Sequence, residues 1–296
     1  MADTNKFRLI PFYSKLTHEI LVCFHSLLLN IVLGRVEGGY FLKVTKLIAL
    51  IINLLVVFSF LSAQAEIDEH TVGIWLFDEG TGNKVKDLTD NGNHGDFQGK
   101  VKWVDGKFSK ALEFKGEGGS VMVPNSKSLD FKKHITIEAW INFSDAGKGK
   151  DMVIAREEPA YSLQKFNNDM IEGWVHVGGW QGVRGKEGGK VLKPSIWYHV
   201  AYSYDGKVLK TYVDGELDRE NKISGDISIV DVPFTIGNYK GTGYFWQGQV
   251  DEVRVSNVAR SQEEIKAVMS GFEAFLGVAP GDKLATRWGR IKKAKR

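Results

Sequence analysis

The chain has 296 residues, 43% hydrophobic and 25% charged, which is enough apolar content to bury a core and excludes a fully disordered or collagen-like protein. Its single Cys excludes an internal disulfide framework and any Cys-based zinc cluster. The net charge of +3 is segregated: residues 1–65 carry +3 and residues 282–296 carry +6, leaving −6 for residues 66–281 and disfavouring a basic folded surface for nucleic acid.

In chain order, the first strong pattern is the apolar run Leu47–Leu61, LIALIINLLVVFSFL. Lys43 and Lys46 precede it and Ser62-Ala63-Gln64-Ala65 follows. A basic start, a short apolar run and a small-x-small site predict a signal peptide over 43–65, cut after Ala65. The run is short for a hydrocarbon core of ~30 Å, which takes about 20 residues; the alternative is an uncleaved anchor formed by residues 47–61. The protein is therefore expected to be secreted, periplasmic or at the cell surface, touching a membrane only through that segment. Residues 1–42 form an extension that fits no signal pattern. Either the true start lies near Leu42, or Ile20–Leu33 is a first membrane segment paired with the second. Cys23 falls in this extension.

From Glu66 to about Gln249 the chain reads as short β runs divided by Gly, Asp and Asn. Gly73–Phe77, Ala111–Phe114 and Ser120–Val123 come first. In Ile135–Asn142 the apolar Ile135, Ile137, Ala139 and Ile141 alternate with Thr136, Glu138 and Trp140, so a core face and an outer face are predicted. Met152–Ala155, Ser162–Phe166 and Gly173–Val177 follow. Trp197–Tyr204 turns at Asp205-Gly206 into Leu209–Val213, which turns again at Asp214-Gly215, the strongest short hairpin signal. Phe234–Ile236 and Gln249–Ser256 close the set. More than ten strands with no long helices between them predict an antiparallel all-β sandwich or barrel. One helix is expected after the last strand: Ser261 and Glu264 form a capping box, Ile265, Val268 and Met269 an apolar stripe, and Gly271 a stop. The tail 276–296 is basic, a disordered end or an electrostatic contact for an anionic surface.

Several segments together resemble laminin-G-like jelly-roll domains of the concanavalin A-like lectin/glucanase superfamily. They are Gly73-Ile74-Trp75-Leu76-Phe77-Asp78-Glu79-Gly80, the loop Asp87–Gly95, Gly106-Lys107-Phe108-Ser109-Lys110-Ala111-Leu112-Glu113-Phe114, Phe131–Trp140, Trp197–Ala201, Tyr212–Gly215, Phe234–Asn238, Gly248–Ser256 and the helix Ser261–Ser270. The matches are collinear over about residues 70–272. The resemblance implies a two-sheet antiparallel jelly-roll sandwich over 66–275. The function it implies is a non-catalytic module for carbohydrate or an extracellular protein surface, with a structural adhesion module or a glycoside hydrolase-related enzyme as alternatives.

Three groups of residues are candidates for chemistry. Asp87, Asp90, Asn91 and Asn93 pack hard oxygen donors into seven positions, a density that suits Ca²⁺ and also suits a hydrogen-bonded tight turn. The resemblance implies a structural Ca²⁺ near this loop and the last strand, which adds Asp251 to Asp87, Asn91 and Asn93. Thr89-Asp90 departs from the family's Ser-Gly. Trp180 in a Gly-rich loop and the cluster Tyr239, Tyr244, Trp246 are candidate sugar platforms, because aromatic rings stack on the C–H faces of sugars. Arg184, Lys186 and Glu187 are possible polar neighbours. Finally, Glu66-Ile67-Asp68-Glu69 invites comparison with the alternating acids of glycosidases in the same superfamily. The third acid is missing and the segment sits at the new amino terminus, so no catalysis is expected from it. Asp251 and Glu252 are adjacent and are expected on opposite faces of their strand.

Overall fold

Strict alternation of apolar and polar side chains builds this protein. In the computed structural model, Ile135, Ile137, Ala139, Ile141 and Phe143 all enter one core, as a strand with a two-residue period requires. The structure describes residues 67–272 except 145–150, 157–158, 184–187 and 239–243, together with the side chains of 151–153. The expected signal peptide 43–65, the extension 1–42 and the tail 276–296 lie outside the described residues.

Sixteen strands occur among the described residues: β1 Thr71–Trp75, β2 Lys84–Val85, β3 Gly95–Gln98, β4 Val101–Asp105, β5 Lys110–Lys115, β6 Ser120–Val123, β7 Ile135–Phe143, β8 Asp151–Arg156, β9 Tyr161–Lys165, β10 Ile171–His176, β11 Trp180–Gly182, β12 Tyr198–Tyr204, β13 Val208–Val213, β14 Glu216–Lys222, β15 Phe234–Ile236 and β16 Gln247–Ser256. One helix, α1, spans Gln262–Ala267. The first sheet runs β14-β13-β12-β7-β16-β5-β4, with β1 also paired to β16. The second runs β11-β10-β9-β8-β15-β6-β3-β2. All pairings are antiparallel, and the fold is the expected two-sheet sandwich.

Between the sheets Trp75 stacks on Phe234 at 5.5 Å between ring centroids, and Phe114, Phe143, Tyr161, Tyr202 and Trp246 fill the rest of the layer. A fully buried side chain of this size contributes about 1.5–3 kcal/mol, so these rings dominate the stability of a domain that does not depend on disulfides. β14, ELDRENK, is a strand that the alternation rule passes over. It lies at the edge of its sheet, where charged side chains protect exposed backbone from pairing with another chain.

The outer face of the first sheet is buried as well. Glu138 of β7, His199 of β12 and Arg254 of β16 are nearly inaccessible and lie together. Arg254 Nε donates to Glu138 Oε1 at 2.9 Å, and His199 Nε2 stands 3.6 Å from Glu138 Oε2. Burial pushes the Glu138 carboxyl up against the pull of Arg254. Burial, then the Arg254 charge, lowers the His199 pKa from 6.5 to about 3, so the imidazole stays neutral. The expected capping box is present: Ser261 N–H donates to Glu264 Oε2 at 2.8 Å and Glu264 N–H to Ser261 Oγ at 3.3 Å. The helix sets Ile265 on Ala201 and Tyr212, while Val268 and Phe272 cover Ile74 and Leu76.

β16 also corrects the expected placement of Asp251 and Glu252. The β16–β7 register slips between Asp251 and Arg254, and Glu252 has φ +41°. A bulge sets two residues against one. Asp251 therefore accepts from Phe108 N–H at 2.9 Å while Glu252 accepts from Phe272 N–H at 2.7 Å, and both acids reach the outer layer.

Candidate functional site

The second sheet turns its other face away from the core. Ile171, Gly173 and Val175 of β10 point inward; a Cβ on Gly173 would stand 2.7 Å from the Cβ of Tyr202. Glu172, Trp174 and His176 therefore point outward. Directly opposed residues of paired strands share a face, so the register fixes a row across the sheet: Gly182, Trp174, Ser162, Ala155, Thr235, Met122, Asp96 and Lys84. Its middle is a floor of small buried side chains, Ser162, Ala155 and Thr235. Trp174 bounds the floor on one side and the exposed Met122 on the other, four strand spacings or about 19 Å apart.

Beside Trp174 lies a polar cluster. Gln164 Nε2 donates to Glu172 Oε2 at 2.9 Å, and Trp174 Nε1 donates to the same oxygen at 3.0 Å. Glu172, Gln164 and Ser162 are each no more than 1% exposed. Among the described residues Glu172 Oε1, Gln164 Oε1 and Ser162 Oγ have no hydrogen-bond partner, and an unpaired buried acceptor is costly. The rings frame this cluster. Trp174 lies on Gly182, where a Cβ would come within 2.5 Å of the indole, so glycine is what admits the ring. Trp180 of β11 faces His176 across the ladder in an edge contact at 5.7 Å and is 38% exposed. His176 Nδ1 is held 2.8 Å from Ser228 Oγ. One sheet face thus joins two indoles to a carboxylate, an amide and a hydroxyl.

Of the aromatic candidates read from the sequence, Trp180 belongs to this face. Trp246 does not. It is fully buried and packs edge-on against Phe143 at 6.5 Å, just before β16 begins. Tyr244 is exposed, but it lies in the connection from β15 to β16 and on neither β10 nor β11. Tyr239, Arg184, Lys186 and Glu187 lie outside the described residues. Glu172, Gln164, Ser162 and the outward side of Trp174 were missed. Alternation along Ile171–His176 was the available signal.

Residues 115–266 match the family Laminin_G_3, described as concanavalin A-like lectin/glucanases superfamily. The chain belongs to this superfamily. No curated protein matches it in sequence. Among solved structures, domain 4 of AbnA, a GH43 extracellular arabinanase from Geobacillus stearothermophilus in complex with arabinotriose, is similar with a TM-score of 0.56 and 17% identity, over 67% of this chain and 98% of that one. The binding domain of Paraclostridial Mosquitocidal Protein 1 is similar with a TM-score of 0.55 and 17% identity, over 68% of this chain and 52% of that one. A botulinum neurotoxin type C structure, described by cell entry dependent upon interaction with two ganglioside molecules, has a TM-score of 0.55 and 12% identity, over 70% of this chain and 51% of that one. This chain therefore spans about half the length of the toxin domains.

The concanavalin A-like sandwich holds the expected cation ligands in two separate places. Asp87 Oδ1 accepts from Ile74 N–H at 3.0 Å and Thr89 N–H at 2.9 Å; Oδ2 accepts from Thr89 Oγ1 at 2.7 Å and Asn93 N–H at 2.9 Å. Asn91 and Asn93 turn their amide nitrogens onto Val72 O at 3.0 and 2.8 Å, and Asn93 Oδ1 accepts from Ser128 Oγ. Asp87 and Asn93 already spend their oxygens on the turn, so these two do not fit a Ca²⁺ shell. Asp251 differs. Its Oδ2 accepts from Phe108 N–H, while the buried Oδ1 has no partner among the described residues. Burial, together with the nearby charges of Glu252 and Asp78, raises its pKa to about 8. Gly106 closes over it, since a Cβ there would stand 2.6 Å from Asp251 Oδ2. Among the described residues no three His, Cys, Asp or Glu side chains gather as a metal cluster, so a cation here would complete its shell with backbone carbonyls and water. Of the acids near the amino terminus, Asp68 is structural. Asp68 accepts from Thr71 Oγ1 at 2.8 Å and from Arg260 at 2.7 Å, and Glu66 lies outside the described residues.

Proposed function

We propose that this chain is an exported, non-catalytic module that binds carbohydrate on the outer face of β9, β10 and β11. The observation that carries the reading is the exposed Trp180 on the same outward face as the half-buried Trp174, with His176 against its edge. Rings offer C–H stacking and acceptors take hydroxyl protons, the two contacts by which a saccharide is held. The arabinotriose-bound arabinanase domain and the ganglioside-dependent toxin support a saccharide ligand by analogy of fold alone.

The outward positions of β10 argue for binding over hydrolysis. They read Glu172, Trp174, His176, one acid where glycoside hydrolysis takes two carboxylates about 5–9.5 Å apart. Export rests on the signal pattern of residues 43–65; among the described residues no helix is long and apolar enough to cross a membrane. A structural Ca²⁺ is proposed at Asp251, with Asp78 beside it, where the ion would neutralise a buried carboxylate and lock the 106–110 turn onto β16. A glycan array with wild type and Trp180→Ala tests the binding site. Binding lost in the variant supports it, and equal binding by both contradicts it.

A further inference from the structure

His176 ends β10 and Trp180 begins β11, and the two stand directly opposite each other across the ladder. The imidazole meets the indole edge-on, with ring centroids 5.7 Å apart. Its two nitrogens are in different situations. Nδ1 lies 2.8 Å from Ser228 Oγ. Nε2 has no hydrogen-bond partner among the described residues and is not closed off from solvent. The backbone of His176 is held on both sides as well: its N–H donates to Ala160 O at 2.8 Å, and its carbonyl accepts from Ser228 N–H at 3.0 Å. Ser228 therefore grips one residue by main chain and by side chain, from 52 positions further along the sequence. Resting on the carbohydrate reading above, we infer that His176 Nε2 is the polar contact beside the Trp180 indole, bonding a sugar hydroxyl, and that Ser228 is the residue that positions it.

The reason is the division of labour between the two ring nitrogens. When Ser228 Oγ–H donates to Nδ1, Nε2 carries the ring's N–H and donates; when Nδ1–H donates to Ser228 Oγ, Nε2 accepts. In both arrangements one nitrogen is spent within the protein and the other is left for a ligand. A sugar hydroxyl both donates and accepts, so it suits either. An indole alone stacks on a sugar's C–H face in many rotations about the stacking axis. A nitrogen held beside that indole favours the rotations that bring a hydroxyl to it, as a placed polar group in a binding site does. A free imidazole would have to be ordered when the sugar binds, and a ring already pinned avoids that cost. Ser228 supplies the order in advance.

The experiment titrates arabinotriose, cellotriose and the neutral oligosaccharide that binds wild type best on a glycan array into wild type, Trp180→Ala, His176→Phe, His176→Gln, Ser228→Ala, Ser228→Thr and the double variant His176→Phe with Ser228→Ala. His176→Phe keeps a ring at the Trp180 edge and removes both nitrogens. It is expected to bind the sugar about tenfold more weakly, the worth of one hydrogen bond, and His176→Gln, with an amide in reach of the same place, to recover part of the loss. Ser228→Ala is expected to bind about threefold more weakly at an unchanged melting temperature, and Ser228→Thr to restore binding. In the His176→Phe background Ser228→Ala is expected to change nothing further, because it acts through the imidazole. Equal losses from Ser228→Ala in both backgrounds overturn its positioning role. Wild-type affinity in His176→Phe, with binding lost in Trp180→Ala, overturns the inference and leaves the binding face standing. No saccharide binding by wild type overturns the carbohydrate reading and the inference with it. If His176→Phe does not fold, judged by its near-ultraviolet circular dichroism, the nitrogen-15 shift of His176 Nε2 in wild type decides: it moves on saturation with the sugar under the inference, and a shift that stays fixed overturns it.

Discussion

Trp174 and Glu172 lie two residues apart on β10, and the indole N–H of the first donates to Oε2 of the second at 3.0 Å. That bond fixes the ring over Gly182, on the face that also carries the exposed Trp180.

The fate of Trp246 separates core from platform. Its full burial against Phe143 predicts that Trp246→Ala destabilises the domain by about 3–5 kcal/mol, the range for a large aromatic lost from a core. Trp180→Ala, at an exposed edge strand, is expected to change stability by less than about 1 kcal/mol. Urea unfolding of both variants measures the difference; equal losses would contradict the placement of one of the two rings.

Asp87 and Asp251 are expected to behave differently towards calcium. Asp87→Ala strips the acceptor from four donors in the 87–93 turn and costs about 3 kcal/mol or more, with or without chelator. Added Ca²⁺ raises the melting temperature of wild type, as a ligand of the folded state must, and Asp251→Asn removes that rise. A calcium effect that survives Asp251→Asn and vanishes in Asp87→Ala would return the ion to the first loop.

His199 makes stability depend on pH. Its pKa falls from 6.5 to about 3 in the folded protein, where it faces Glu138, Arg254 and the edge of Trp140. Above pH ~6.5 the ring is neutral folded or unfolded, and its full contribution is present. Below that, the unfolded chain takes up a proton that the folded one refuses, so stability declines by about 1.4 kcal/mol per pH unit as pH falls towards 3. Between pH 7 and pH 5 wild type is expected to lose about 2 kcal/mol more than His199→Gln. Parallel pH curves for the two proteins would show that another group sets the slope.

Much of the sandwich was legible because its signals are local. Ile135–Asn142 shows its two faces by alternation, the two Asp-Gly turns mark the hairpins, and Ser261 with Glu264 marks the helix start. β14 escaped because an edge strand gains its place from backbone pairing to β13, and its charged side chains carry no apolar period. The bulge at Glu252 escaped because only the pairing of β16 with two neighbours creates it. The binding face was half legible. Trp180 stood out beside its glycines, whereas starting the tenth strand at Gly173 hid Glu172, and burial alone distinguishes Trp246 from Trp180. Asp87 looked like a metal ligand by composition; its four protein donors come from residues 74, 89 and 93, and a loop's composition does not show where its oxygens point.

The central claim is that the outer face of β10 and β11, through the indole of Trp180, holds a saccharide. Calorimetric titration of wild type and Trp180→Ala with the neutral oligosaccharide that binds best on an array tests it most directly. The account predicts saturable binding by wild type and at least tenfold weaker binding by the variant, with both proteins equally stable. Identical affinities in the two proteins would contradict it.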